Sequence, residues 1–366
     1  MALKCGIVGL PNVGKSTLFN ALTSNKAEAA NYPFCTIDPN VGVVTVPDDR
    51  MEKISAFVKP KSQVPTVMEF VDIAGLVAGA SQGEGLGNKF LMNIRETNAI
   101  LHVVRCFVDP NVVHVSGSVD PLRDIDVINT ELMLADLESV EKRFKKNEKL
   151  AKTSKDAKVL LDFSITSKVY EALKAGKPAR VVAVEEDEKP YLHDMQLLTS
   201  KPVLYVCNVS ESEFLDGKSD MADRVAERAK SENNLSLQIC SQMEAEIAQL
   251  EPAERGEFLA SMGIKEPGLN RLIRESYKLL NLITYFTAGE KEVRAWTIKN
   301  GTKAPGAAGV IHTDFERGFI RAETYHCEDL FTLKSESAVK EAGKYRSEGK
   351  DYVVKDGDIM LFRFNV

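Results

Sequence analysis

Along the first half of the chain, short apolar runs alternate with stretches whose apolar residues recur every three or four positions. Residues 3–9 (Leu-Lys-Cys-Gly-Ile-Val-Gly) read as a buried strand running into a glycine-rich turn, and the spacing predicts a helix over 16–23. Further runs of strand character lie at 66–71, 100–107, 202–207 and 235–240, with helical stretches between most of them. This alternation predicts an α/β fold, a parallel sheet with helices on both faces. It stops between about 124 and 200, where residues 131–170 are dense in Lys and Glu with Leu and Val at helical spacing. That stretch reads as a helical insertion, an antiparallel pair, with Gly176 and Pro178 forming either its turn or its return to the core. By itself it is a solvated arm or a partner-binding one. After an amphipathic helix over 268–281, short alternating runs at 293–298, 309–312, 318–324, 351–354 and 359–364 predict a small mixed-sheet domain at the C-terminus.

With 366 residues the chain has room for two or three domains, and 44% apolar with 27% charged residues is ordinary globular composition. The formal charge of -6, from 47 basic and 53 acidic residues, argues against a surface that coats nucleic acid throughout, although one basic module is compatible with it. No apolar run approaches the ~18–20 residues of a membrane span, and the chain starts into a strand instead of a signal peptide, so a soluble, cytoplasmic protein is expected. The six cysteines, at 5, 35, 106, 207, 240 and 327, form no Cys-x-x-Cys pair and sit mostly in apolar runs. Free thiols are expected, with no disulfide and no zinc site.

The chemistry enters with Gly9-Leu10-Pro11-Asn12-Val13-Gly14-Lys15-Ser16, a complete phosphate loop of the form G-x-x-x-x-G-K-[ST] between a strand and a helix. Its glycines let backbone N–H groups line a nest for phosphate oxygens, Lys15 neutralises the β and γ phosphates, and the Ser16 hydroxyl goes to Mg²⁺. The helix start adds its positive end, so Asn12, Val13, Gly14, Lys15, Ser16 and Thr17 form the expected phosphate-binding set. The strand at 66–71 ends in Asp72-Ile73-Ala74-Gly75, a D-x-x-G arrangement that puts Asp72 near Mg²⁺ through water and the Gly75 N–H near the γ-phosphate. Between the two, Asn31-Tyr32-Pro33-Phe34-Cys35-Thr36 offers Thr36 as a second hydroxyl ligand of Mg²⁺. Four close glycines, 79, 83, 85 and 87, mark a switch segment.

Guanine-reading enzymes of this class carry Asn-Lys-x-Asp after a buried strand, the Asp accepting from the guanine N1 and N2 donors. Here the strand at 202–207 leads into Asn208-Val209-Ser210-Glu211, which keeps the Asn and lacks Lys-x-Asp. Adenine presents the opposite polarity, which backbone groups or the Asn208 amide can satisfy, so ATP is favoured over GTP. The bland alternative is that Asn208 only braces the phosphate loop. Leu76 stands where a water-holding Gln would follow D-x-x-G, and Leu cannot polarise water, so intrinsic hydrolysis should be slow. His114, in the loop after the strand at 100–107, is the candidate to orient the nucleophile.

Taken together, Gly6-Ile-Val-Gly-Leu-Pro-Asn-Val-Gly-Lys-Ser-Thr17, Asn31-Tyr-Pro-Phe-Cys-Thr36, Phe70-Val-Asp-Ile-Ala-Gly-Leu-Val-Ala-Gly-Ala80 and Gly83-Glu-Gly-Leu-Gly-Asn-Lys-Phe90 resemble the YchF subfamily of Obg-like ATPases, Obg-related P-loop NTPases of the translation-factor class. The resemblance spans nearly the whole chain. It implies a P-loop, G-domain-like module over 1–123 and 201–280, a coiled-coil insertion over 124–200, and a β-grasp TGS domain over 281–366. It also implies an N-x-x-E base segment (Asn208, Val209, Glu211) with ATP preference, and a role for Asn12 like that of the asparagine with which some relatives hold K⁺. Arg294, Trp296, Lys299, Lys303, Arg317 and Arg321 are compatible with RNA contact, though acidic residues are interleaved. The implied partner is the ribosome, through rRNA or ribosomal protein on the large subunit, by way of the TGS domain or the arm; no DNA or membrane partner is expected. The expected function is slow hydrolysis of ATP to ADP and phosphate in a ribosome-associated switch. The rival is a nucleotide-sensing binding protein with incidental turnover, and a small-molecule kinase is disfavoured by the switch motif.

Overall fold

The structure is a computed structural model that describes residues 3–24, 40–73 and 86–365. Among these residues the chain forms twelve strands: β1 (Lys4–Val8), β2 (Val41–Thr45), β3 (Ser62–Val64), β4 (Val67–Asp72), β5 (Ala99–Arg105), β6 (Val203–Asn208), β7 (Leu235–Ile239), β8 (Leu282–Ala288), β9 (Glu292–Lys299), β10 (Phe319–His326), β11 (Arg346–Glu348) and β12 (Asp358–Phe364). The helices that matter below are α1 (Lys15–Ser24), α2 (Asp49–Val58), α3 (Leu86–Arg95), α4 (Pro121–Ala151) and α5 (Ala157–Lys174). Contacts divide the chain into two units, residues 1–25, 36–42 and 69–269 in one and 26–35, 43–68 and 270–366 in the other.

One six-stranded sheet runs in the order β2-β4-β1-β5-β6-β7. β1 pairs in parallel with β4 and β5, and the parallel ladder continues through β6 to β7. Every residue of β5 and of β6 is buried, as expected for near-continuous apolar strands covered on both faces. After β4 the chain crosses to β5 on the other side of β1, so the crevice at the carboxyl end of β1 is the topological switch point where ligands of such sheets bind.

The insertion is a helical hairpin. Asp120 caps α4 by accepting from the Leu122 N–H, with Pro121 in the first turn, where its missing N–H costs nothing. Residues 152–156 turn the chain into α5, and Val140, Ile165, Val169 and Leu173 form the shared core, with Phe144 stacked 4.6 Å from Tyr170. Gly176 and Pro178 therefore lie in the return, not in the turn between the helices. That return is pinned by Asp136 of α4, fully buried, whose carboxylate accepts from the N–H groups of Leu198 (2.9 Å) and Thr199 (2.8 Å) and from the Thr199 hydroxyl (2.7 Å).

The second unit is built on a mixed sheet in the order β11-β10-β12-β8-β9-β3. β8 and β9 form an antiparallel pair, as do β10 and β12, whereas β12 with β8 and β3 with β9 are parallel. Two of the expected short strands are absent. Residues 309–311 end the helix Ala304–Ile311, whose Ala304, Ala307 and Ala308 are fully buried at helical spacing behind a first-turn proline. Residues 351–354 make only a single bridge, Lys303 to Val353. The sequence reading also places 43–68 inside 1–123, whereas the contacts group it with 270–366. The reason is packing: Met51 and Ile54 of α2 join the core of Phe286, Val293 and Ile359, and Arg50 bridges Asp48 and Asp356 at 2.7 Å each. A helix's apolar stripe announces burial without naming the partner.

Candidate functional site

The loop leaving β1 is shaped by close approach. A Cβ at Gly9 would lie 2.7 Å from the Val103 carbonyl oxygen of β5, so only glycine lets the chain pass. Asn12 adopts a left-handed φ of 63°, and Gly14 has φ of 93° with space for no side chain, since its Cβ would meet the Asn208 amide nitrogen at 2.2 Å. The turn thus delivers Lys15 to the start of α1, where Ser16 and Thr17 are exposed and the first amides are free of intrahelical partners. Lys15 is buried, and its ammonium is ion-paired with the carboxylate of Asp72 at the end of β4, opposite Ile7 in register. The expected phosphate and Mg²⁺ groups Lys15, Ser16 and Asp72 are therefore brought together, and Asp72 already holds a cation. Thr36, Gly75, Leu76 and the glycines at 79, 83 and 85 lie outside the described residues.

Asn208 is nine-tenths buried and both ends of its amide are taken. Its nitrogen donates to the Val13 carbonyl (2.9 Å) and its oxygen accepts from the Ser241 N–H (2.9 Å). In this structure it braces the phosphate loop against the segment after β7. Beside it a cavity of about 270 Å³ is lined by Phe107, Val108, Pro110, Val209, Glu211 and Gln242, among others. Glu211 opens a short helix over Glu211–Asp216, closed at its start by a capping box of Ser210 and Glu213. Burial pushes the Cys240 thiol of this wall up, so it stays protonated and apolar. The Ser241 hydroxyl is buried beside Gly14 of the phosphate loop and has no hydrogen-bond partner among the described residues.

His114 is buried, with both ring nitrogens hydrogen-bonded. Its side chain is 3% exposed, Nε2 lies 2.8 Å from a carboxylate oxygen of Asp124, and Nδ1 accepts from the Ser116 N–H at 3.1 Å. The loop that carries it is nonetheless tied to the site: the Asn12 amide donates to the Val113 carbonyl at 3.1 Å. This leaves the Asn12 amide oxygen, and not its nitrogen, for a cation. Sequence reasoning missed Ser241, Gln242 and Asp124. The first two follow β7, a strand legible in the sequence, and position after the carboxyl end of a strand in a parallel sheet was the available signal; Asp124 had none.

A family model described as "50S ribosome-binding GTPase" matches residues 4–149, and one for the YchF-type GTPase C-terminus, described as "Protein of unknown function (DUF933)", matches 282–365. The chain is 59% identical to the ribosome-binding ATPase YchF of Bacillus subtilis (strain 168) and 56% identical to that of Escherichia coli O157:H7, with 100% of each chain covered in both cases. A solved structure of the Schizosaccharomyces pombe YchF GTPase superposes with a TM-score of 0.88 at 42% identity, covering 99% of this chain and 97% of that one. With a phosphate loop at the switch point of a parallel sheet, and full-length relatives of this closeness, the chain belongs to the YchF family.

Proposed function

We propose that this chain hydrolyses ATP to ADP and phosphate slowly and serves as a nucleotide-dependent switch on the ribosome. The observation that carries the base preference is the wall of the cavity: Val209 and Glu211 stand where a guanine site would need Lys-x-Asp. The names of the bacterial relatives, ribosome-binding ATPases, agree with this reading, whereas the Schizosaccharomyces pombe relative carries the name GTPase.

The residues fit Mg²⁺ and a triphosphate. Ser16 and Thr36 would hold the ion directly and Asp72 through water; when bound, the ion neutralises charge building on the phosphates. Lys15 moves from Asp72 to the β and γ phosphates, the backbone amides of residues 12–17 line them, and the Gly75 N–H senses the last. Val209, Glu211 and the Asn208 segment form the base site, with Gln242 at its edge. The Asn12 amide oxygen is the group available to K⁺. His114 orients the attacking water once it leaves its buried position, which accounts for slow turnover.

We assign 1–123 and 201–280 to the nucleotide domain, except that residues 43–68 pack with the C-terminal unit, 124–200 to the arm and 281–366 to a TGS domain, acting in the cytoplasm. No helix of the described residues is long and apolar enough to cross a membrane. The ribosomal partner is the large subunit. Lys146, Lys149, Lys155 and Lys158 crowd the tip of the α4–α5 hairpin, exposed and without an ion pair among the described residues, where RNA phosphates suit them. On the second unit, Arg294 lies 4.3 Å over the half-buried Trp296 ring, a platform of the kind that stacks bases.

The test is ADP formation by purified chain with and without ribosomes. Stimulation is expected. ATP binding with no ADP formed in either condition would instead support the nucleotide-sensing alternative.

A further inference from the structure

We infer that Asp124 is a positioning residue that holds His114 in a withdrawn pose, so that the first turn of the arm helix α4 sets how often the ring reaches the phosphates. This rests on the reading of His114 as the group that orients water.

The bonding pattern assigns the ring's proton. Nδ1 accepts from the Ser116 N–H, so the hydrogen sits on Nε2 and is donated to the Asp124 carboxylate. With both nitrogens spent and both side chains 3% exposed, the ring has no atom left to accept a proton from water in this pose. The second carboxylate oxygen of Asp124 accepts from Arg123 (3.1 Å), and Arg123 in turn donates to the Ser118 carbonyl and hydroxyl. The pocket is therefore stitched from both sides, loop and helix.

The residues flanking His114 point the other way. Val113 is 75% exposed and Val115 52% exposed, so the loop shows its apolar side chains to solvent while burying its imidazole. That ordering is the reverse of what water favours, and it makes an exchanged pose, histidine out and valine in, a close competitor. The Asn12 amide holds the Val113 carbonyl, one residue before the ring, so the loop stays attached to the phosphate loop while the ring turns. Asp124 belongs to the same helix that carries the arm, and its N–H bonds the carbonyl of the capping Asp120. A partner that tilts α4 therefore acts on the bond that holds the ring.

The experiment uses the full chain and measures steady-state ATP hydrolysis without ribosomes for wild type, Asp124→Asn, His114→Ala and the double variant. The latch predicts that D124N raises kcat roughly three- to tenfold with KM unchanged, the scale of one weakened charge-assisted hydrogen bond. It further predicts that the gain vanishes in the double variant. No gain in D124N, or a gain that persists without His114, overturns the latch. His114→Ala at the wild-type rate shows instead that the reading of His114 itself is wrong. A readout on the unaltered chain guards against misfolding of the variant: labelling of His114 by diethyl pyrocarbonate should be slow without nucleotide and faster with Mg²⁺ and a non-hydrolysable ATP analogue. Equal protection in both states contradicts release of the ring.

Discussion

Substitution of Asn208 separates a brace from a base reader. Its amide ties the Val13 carbonyl of the phosphate loop to the Ser241 N–H after β7 in a nine-tenths buried setting. Asn208→Ala leaves one buried acceptor and one buried donor without partners, and each costs about 1–3 kcal/mol, so the loss is roughly 2–5 kcal/mol once relaxation is allowed for. For a unit of this size that corresponds to a fall in Tm of roughly 4–20 °C. The same loosening should weaken ATP and GTP alike, because the phosphates are common to both. The assay is thermal unfolding alongside competitive displacement of a fluorescent ATP analogue by each nucleotide. A large stability loss with an unchanged ATP-to-GTP ratio is the expected pair. Full stability with an altered ratio would mean that the amide reads the base and that the structural assignment is mistaken.

Other consequences are checked as directly. Exchanging Glu211 for Asp together with Val209 for Lys should raise GTP affinity relative to ATP in the same competition assay, and unchanged selectivity would refute the role of this wall. Changing Lys146, Lys149, Lys155 and Lys158 to Gln should flatten the slope of log affinity for ribosomes against log salt by up to about 3; an identical slope in sedimentation at several salt concentrations removes the arm tip from the contact. His102, fully buried in β5 against Tyr205, is pushed down to about 3 by burial, with the Arg180 charge adding to the effect. The unfolded chain therefore binds a proton at its ordinary value near 6.5 that the folded chain refuses, so stability falls as pH drops below about 6.5, by up to ~1.4 kcal/mol per pH unit from this ring. Urea unfolding at pH 7 and pH 5 should show that loss, and His102→Gln should remove most of it. Hydrolysis rates measured in KCl and in NaCl test Asn12 as a K⁺ ligand, with faster turnover in KCl expected and equal rates opposing it.

What the sequence disclosed and what it hid follow from the range of the interactions involved. The phosphate loop was legible because its chemistry is written in consecutive residues, glycines where no Cβ fits and a lysine aimed by a helix start. The strands β1, β5 and β6 were legible as apolar runs long enough to be central. Asn208 was visible as a residue with work to do, but an amide serves a base or a backbone equally well, and its partners lie 33 and 195 residues away. The burial of His114 depends on a carboxylate ten residues on, at the start of a different element, which no local pattern encodes. Residues 309–312 read as a strand although 309–311 end the helix Ala304–Ile311, because small apolar residues satisfy either period and only the burial of the alanines at helical spacing decides between them. The membership of α2 in the second unit is the same difficulty one level higher.

The most direct test is a competition titration in which unlabelled ATP and GTP displace a fluorescent ATP analogue from the full chain in the presence of Mg²⁺, repeated with Lys15→Ala. ATP should displace at roughly tenfold lower concentration than GTP, the value of one discriminating hydrogen-bond pattern, and the Lys15 variant should hold the probe far more weakly. Displacement by GTP at equal or lower concentration, or undiminished binding in the Lys15 variant, would contradict an adenine site built on this phosphate loop.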